Sequence, residues 1–125
     1  MASNYHLIPI YTSRGEVGAL LAYPYIFNRQ GEWIGWVTSE RSVYSVHGHY
    51  VGYLNDDPRI LRKHSSTFTR PRQAPPSRPE PITPPAHFPL APMMAEIYIG
   101  TIDVLEEEPH LLPAVDFGDL REDMD

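Results

Sequence analysis

The chain has 125 residues, enough for one small domain and an extension but not for two full domains. It contains no Cys, which excludes disulfides, thiolate metal sites and cysteine nucleophiles. Ten basic residues against sixteen acidic ones leave a formal charge of −6, so a protein that coats nucleic acid is disfavoured.

The first residues show neither a basic leader nor a long apolar run. The longest apolar stretch, Val17 to Tyr23, is too short to span a bilayer, and a soluble cytoplasmic protein is expected. His6 to Ile10 reads as an opening edge strand, where Pro9 is tolerated.

A repeat follows. Phe27 to Val37 aligns with Tyr44 to Leu54 at a period of 17: aromatic, three residues, Gly, any residue, aromatic, β-branched, Gly, aromatic, aliphatic. Tyr11 to Leu20 is an earlier copy, one residue shorter between its glycines, with Ala19 where Trp36 and Tyr53 stand. Aromatic and β-branched residues favour strands. The first glycine of each copy (Gly15, Gly31, Gly48) follows polar residues, as a hairpin turn with positive φ requires. The second (Gly18, Gly35, Gly52) lies inside an apolar run and marks a bulge or a close backbone approach. Each copy is therefore expected to be a kinked β-hairpin that sends aromatic and aliphatic side chains to a shared centre. Asn55-Asp56-Asp57-Pro58 is a turn signal, and Arg59 to Lys63 reads as a further strand, a fourth copy without glycines.

Proline occupies nine of the 22 positions from 71 to 92, which forbids helix and central strand and predicts an extended, polyproline-like arm. Beyond it, Ile97 to Leu105 reads as one strand, preceded by a stretch (92–96) that could form a short helix. Charge is segregated: residues 59–78 carry six basic residues and no acid, while 96–125 carry ten acids and one Arg. Such blocks either pair or remain solvated. The expected organisation is an all-β hairpin-repeat domain at 5–64, a Pro-rich arm at 65–92, and an acidic C-terminal segment at 93–125 with a strand at 97–105.

The glycine–aromatic units at Phe27–Trp36 and Tyr44–Tyr53 resemble the repeats of the four-fold β-flower family. The resemblance covers roughly residues 8–63. It implies four β-hairpin petals about a pseudo-fourfold axis, and it brings no catalytic residues.

No residue pattern specifies a reaction. His47-Gly48-His49 offers two imidazoles, but the other histidines are scattered, so no metal is expected. Glu106-Glu107-Glu108 lacks the spacing of a calcium loop. Glu32, Glu40, Asp56 and Asp57 are not placed as an acid–base pair, and there is no Gly-x-Ser-x-Gly elbow and no phosphate loop. No catalytic residue and no cofactor is expected. The Pro-x-x-Pro spacings of the arm lack a basic anchor at standard distance. The favoured reading is a non-enzymatic interaction or assembly module, homo-oligomeric through the arm and C-terminal strand, or else bound to another protein. Two rivals stand beside it. One is a binder of small ligands, nucleotides or phospholipid head groups at the mouth of the β-domain, using Arg59, Arg62, Lys63, Trp33, Trp36 and Tyr53. The other is an enzyme of unspecified reaction.

Overall fold

The computed structural model describes residues 6–64 and 70–114. Among these described residues eight strands form one antiparallel sheet in sequence order: β1 (Ile8–Tyr11), β2 (Val17–Ala22), β3 (Tyr25–Phe27), β4 (Trp33–Val37), β5 (Ser42–Ser45), β6 (Tyr50–Leu54), β7 (Ile60–Lys63) and β8 (Thr101–Asp103). A one-turn helix α1 (Val104–Glu107) and a 3-10 turn (Pro109–Leu111) follow. The sheet is curled. Tyr11 N–H donates to the Pro58 carbonyl at 2.8 Å and Ser13 N–H to Asp103 Oδ2 at 2.6 Å, tying the end of the first strand to the β6–β7 turn and its tip to β8.

The hairpin tips share one local design. Residues Thr12, Asn28 and Ser45 begin five-residue turns in which a side-chain oxygen accepts an amide two positions on. Asn28 N–H donates to the Glu32 carbonyl and Gly31 N–H to the Asn28 carbonyl, which requires Gly31 in the left-handed region at φ 88°. The Thr38–Ser42 turn between the second and third petals uses the same pair of bonds, but with Arg41 at φ 70° in the glycine place.

The pairing register shows the true equivalences. Tyr11, Phe27 and Tyr44 face Val17, Trp33 and Tyr50, with a bulge beside each pair. On the next rung Ile10 faces Ala19, Ile26 faces Gly35 and Val43 faces Gly52. Ala19, not Gly18, therefore occupies the place of Gly35 and Gly52. A Cβ on Gly35 would overlap the Tyr44 carbonyl oxygen, and one on Gly52 the Leu61 carbonyl oxygen 17 residues on, so these two glycines permit the same close strand approach. Gly18 instead leaves room for Leu105 of α1, whose Cδ1 lies 2.9 Å from where a Cβ would stand. Nor is the first hairpin shortened. Leu20 pairs with Phe27 seven residues on, whereas Trp36–Tyr44 and Tyr53–Leu61 are eight apart, so the missing residue belongs to the β2–β3 connection.

Ile10, Ile26, Val43 and Ile60 recur at this spacing and all have zero exposure. Among the described residues the centre is filled by aliphatic side chains: these four with Ala19, Leu21, Ile34, Val37, Val51, Leu54, Val104 and Leu112. The aromatics go elsewhere, which corrects the expectation of a mixed centre. Phe27, Trp33, Trp36, Tyr44 and Tyr50 build a second cluster, against which Ile82 and Phe88 of the proline segment pack. Strand alternation is the cause, since Ile26 and Phe27, or Trp36 and Val37, must face opposite ways.

The fourth petal is split. Its first strand is β7 and its second is β8, paired Leu61–Asp103, Arg62–Ile102 and Lys63–Thr101, and the described residues 70–100 belong to the loop between them. The strand expected at 97–105 is confined to 101–103; Asp103 caps α1 through its side chain, and Val104 and Leu105 continue as helix. The fourth petal also has a positive-φ glycine, Gly100 at φ 90°, on the far side of that loop.

Candidate functional surfaces and family

The long loop of the fourth petal is a belt. Leaving β7, it visits the third petal (Gln73 N–H to Gly48 O, 3.0 Å), then the second (Ile82 N–H to Gly31 O, 3.0 Å), then the first (Tyr11 hydroxyl to Pro89 O, 2.8 Å). It returns through Ala95, whose carbonyl takes a hydrogen bond from Arg59 at 2.8 Å, and reaches β8. The contacts keep a nine-residue register. Gln73, Ile82 and Ala91 lie against Gly48, Gly31 and Gly15 in turn. Partly buried residues recur every third position at 76, 79 and 82, and again at 88, 91, 94 and 97, with position 84 off this spacing between the two runs. A polyproline helix has three residues per turn, so nine residues return the same face to the domain after ~28 Å. Ala74-Pro75-Pro76-Ser77 and Thr83-Pro84-Pro85-Ala86 repeat at that interval.

The belt's placement sorts the residues singled out from sequence. Trp33 and Trp36 are nearly buried beneath it; Trp33 Nε1 donates to the Gly35 carbonyl at 2.7 Å, and Trp36 stacks on Tyr44 at 5.3 Å. Tyr53 is half-buried on β6. Arg59 is 3% exposed and acts as a clasp, joining Asp57, Ser13 of the first petal and Ala95 of the belt. Arg62 is buried beside Glu108 at 2.7 Å, whereas Lys63 is exposed next to His64 and Gly100. The two arginines are thus engaged in ion pairs on the fourth petal, and the tryptophans lie on the second. The segregated charges meet within the chain at Arg62–Glu108, and Arg14 of the first tip pairs with Glu106 at 3.1 Å.

Two surface features stand out. The first is apolar: Leu90, Met93, Tyr98 and Ile99, all on the last part of the belt, are 86–105% exposed. The second is a cavity of about 370 Å³ on the third petal, between the Ser45–His49 turn, the start of the belt and the 3-10 turn. Its polar lining is Ser45, His47, His49, Arg70 and His110; its apolar lining includes Tyr50 and Leu111. The Arg70 guanidinium lies 3.9 Å from the centre of the Tyr50 ring, and its Nη1 donates to Ser42 Oγ at 3.2 Å. Burial pushes the Tyr50 phenol above its ordinary pKa, only partly offset by Arg70. Among the described residues no group of three His, Asp or Glu is placed to hold a metal ion. His47 and His49 were visible as a pair in the sequence; Arg70 and His110, 21 and 61 residues beyond His49, join them only through the fold.

Among the described residues no helix is long and apolar enough to cross a membrane. No curated protein and no solved structure matches the chain. The petals in register accord with the family match to residues 8–98, which takes in β1 to β7 and most of the belt: the chain belongs to the family described as "4-fold beta flower protein".

Proposed function

We propose that the protein is a non-enzymatic assembly module that associates with a second copy of itself through the outer surface of its belt, in a reducing compartment such as the cytoplasm. One observation carries this reading. The four large apolar side chains Leu90, Met93, Tyr98 and Ile99 fall within ten residues of one another and face solvent, while the centre absorbs the aliphatic residues of the petals. Exposed apolar side chains concentrated in one short segment mark it as an interaction site. A two-fold contact covers two copies of the strip at once, because each faces its twin. In this proposal the association uses the belt's outer surface, with the belt and β8 of each copy kept on its own petals.

Size-exclusion chromatography with light scattering on the full chain tests this. The expected result is a mass of two chains or more, reduced to one chain by Met93→Asp with Ile99→Asp. Both residues lie outside the core, so the variant should keep its melting temperature within a few degrees. A monomeric wild-type chain at high concentration overturns the reading.

A further inference from the structure

We infer that the third-petal cavity is a binding site for a small organic anion, its oxyanion head held by Arg70 and the imidazoles and its apolar body set against Tyr50 and Leu111. The site is assembled from three separate parts of the chain. The turn supplies His47 and His49 on either side of Gly48, and both their amides donate to Ser45 Oγ (3.2 and 3.3 Å), which fixes the turn. The belt supplies Arg70, braced on Ser42 and on the Tyr50 ring. The 3-10 turn supplies His110 and Leu111.

The charge is one-sided. Among the described residues no carboxylate lines the cavity, although acids outnumber bases in the chain as a whole. Arg72 adds a further positive charge beside the tip, its Nε donating to the His47 carbonyl at 2.7 Å. A guanidinium has five N–H donors in a planar fork suited to carboxylate and phosphate oxygens; one of those of Arg70 goes to Ser42 Oγ. The floor selects against a bare inorganic ion. Tyr50, Val51, Leu111 and Pro113 present an apolar surface that a phosphate ion cannot cover but an aryl or alkyl body can. The cavity is of the size that small-molecule sites occupy.

The test uses the full chain with isotope-labelled histidine, following ring resonances by NMR during titration with phenyl phosphate, benzoate, inorganic phosphate, benzyl alcohol and Zn²⁺. The expected result is a saturable shift of His47, His49 and His110 with phenyl phosphate, with His6 and His87 unmoved. Benzoate in place of phenyl phosphate would assign a carboxylate head and likewise support the site. Inorganic phosphate should bind about tenfold more weakly or worse, because it buries no apolar surface. Arg70→Gln should weaken phenyl phosphate about tenfold, with Arg70→Lys, which keeps the charge but not the fork, falling between that variant and the wild type and the distant Arg78→Gln changing it less than twofold. His110→Asn reports from a different element and should weaken binding without disturbing the turn. Benzyl alcohol binding as tightly as phenyl phosphate would overturn the proposal. So would equal losses in Arg70→Gln and Arg78→Gln, Zn²⁺ alone moving the three rings, or no saturable shift below about 10 mM.

Discussion

At the residue scale, two positions are held in unusual surroundings for identifiable reasons. Arg41 adopts the left-handed conformation that glycine occupies in the equivalent petal turns, at a cost of about 1–2 kcal/mol for a residue with a Cβ. What it gains is a 2.8 Å bond from its Nε to the Leu54 carbonyl. Arg41→Ala keeps the strained backbone and loses that bond, whereas Arg41→Gly loses both. Urea unfolding should therefore find Arg41→Ala less stable than Arg41→Gly by about 1 kcal/mol, and the reverse order would mean that the turn is not strained. Asp57 is the second position. Burial raises its pKa, but hydrogen bonds from Arg59 and Asn55 outweigh burial and leave it below the usual carboxylate value. A carboxylate whose pKa is lower when folded stabilises the protein above its unfolded value, near ~4, and that contribution disappears as pH falls through the folded value. The clasp should accordingly weaken on acidification below about pH 4, and Asp57→Asn should remove that part of the pH dependence while costing stability at pH 7. Parallel acid-unfolding curves for the two proteins would count against the clasp.

At the element scale, the petals and the belt are keyed to one another by their tip glycines. A Cβ on Gly31 would overlap the Ile82 carbonyl oxygen, so alanine there must both strain the turn and lift the belt. Gly100 has the same sign of φ but nothing within 4 Å of such a Cβ, so alanine there meets only the backbone penalty. Gly31→Ala should thus cost about 1–2 kcal/mol more than Gly100→Ala, and hydrogen exchange at Ile82 should speed up only in the former. Equal costs would show that the belt adds nothing at that tip. This keying explains what could be read from the chain beforehand. The 17-residue period was visible because each petal is local: turn oxygen, tip glycine and strand aromatics lie within 11 residues. The nine-residue period was not, since polyproline has no hydrophobic alternation and only its contact with Gly31 and Gly48 reveals which residues face inward. The place of Gly18 is hidden in the sequence for a related reason. The partner that explains it, Leu105, is 87 residues away, and the more local pattern of two glycines near one turn suggested a match that the strand register does not make. The third-petal cavity was half legible, through His47 and His49, and Arg70 and His110 joined it only by the closing of the belt and the docking of the 3-10 turn.

At the scale of the whole molecule, the belt delivers the last strand of the sheet and part of the core. The first seven strands leave the fourth petal without its second strand and the centre without Val104 and Leu112, so a chain ending before the belt lacks part of its core. The C-terminal element is thus an integral piece of the domain, delivered from a distance. That makes the continuity of the belt separable from the presence of β8. If a protease site is inserted at the exposed Ser77–Arg78 step and the folded protein is cut there, Arg62–Glu108, the β7–β8 ladder and the burial of Val104 and Leu112 remain to hold the two pieces together. The nicked protein should elute as one species under native conditions and separate only in denaturant. Its unfolding should become concentration-dependent and its melting temperature should drop, because the tether no longer limits the freedom of the released piece. Two pieces that separate without denaturant would show that β8 and α1 contribute too little to count as part of the core, and the split fourth petal would then be a contact rather than a strand pair.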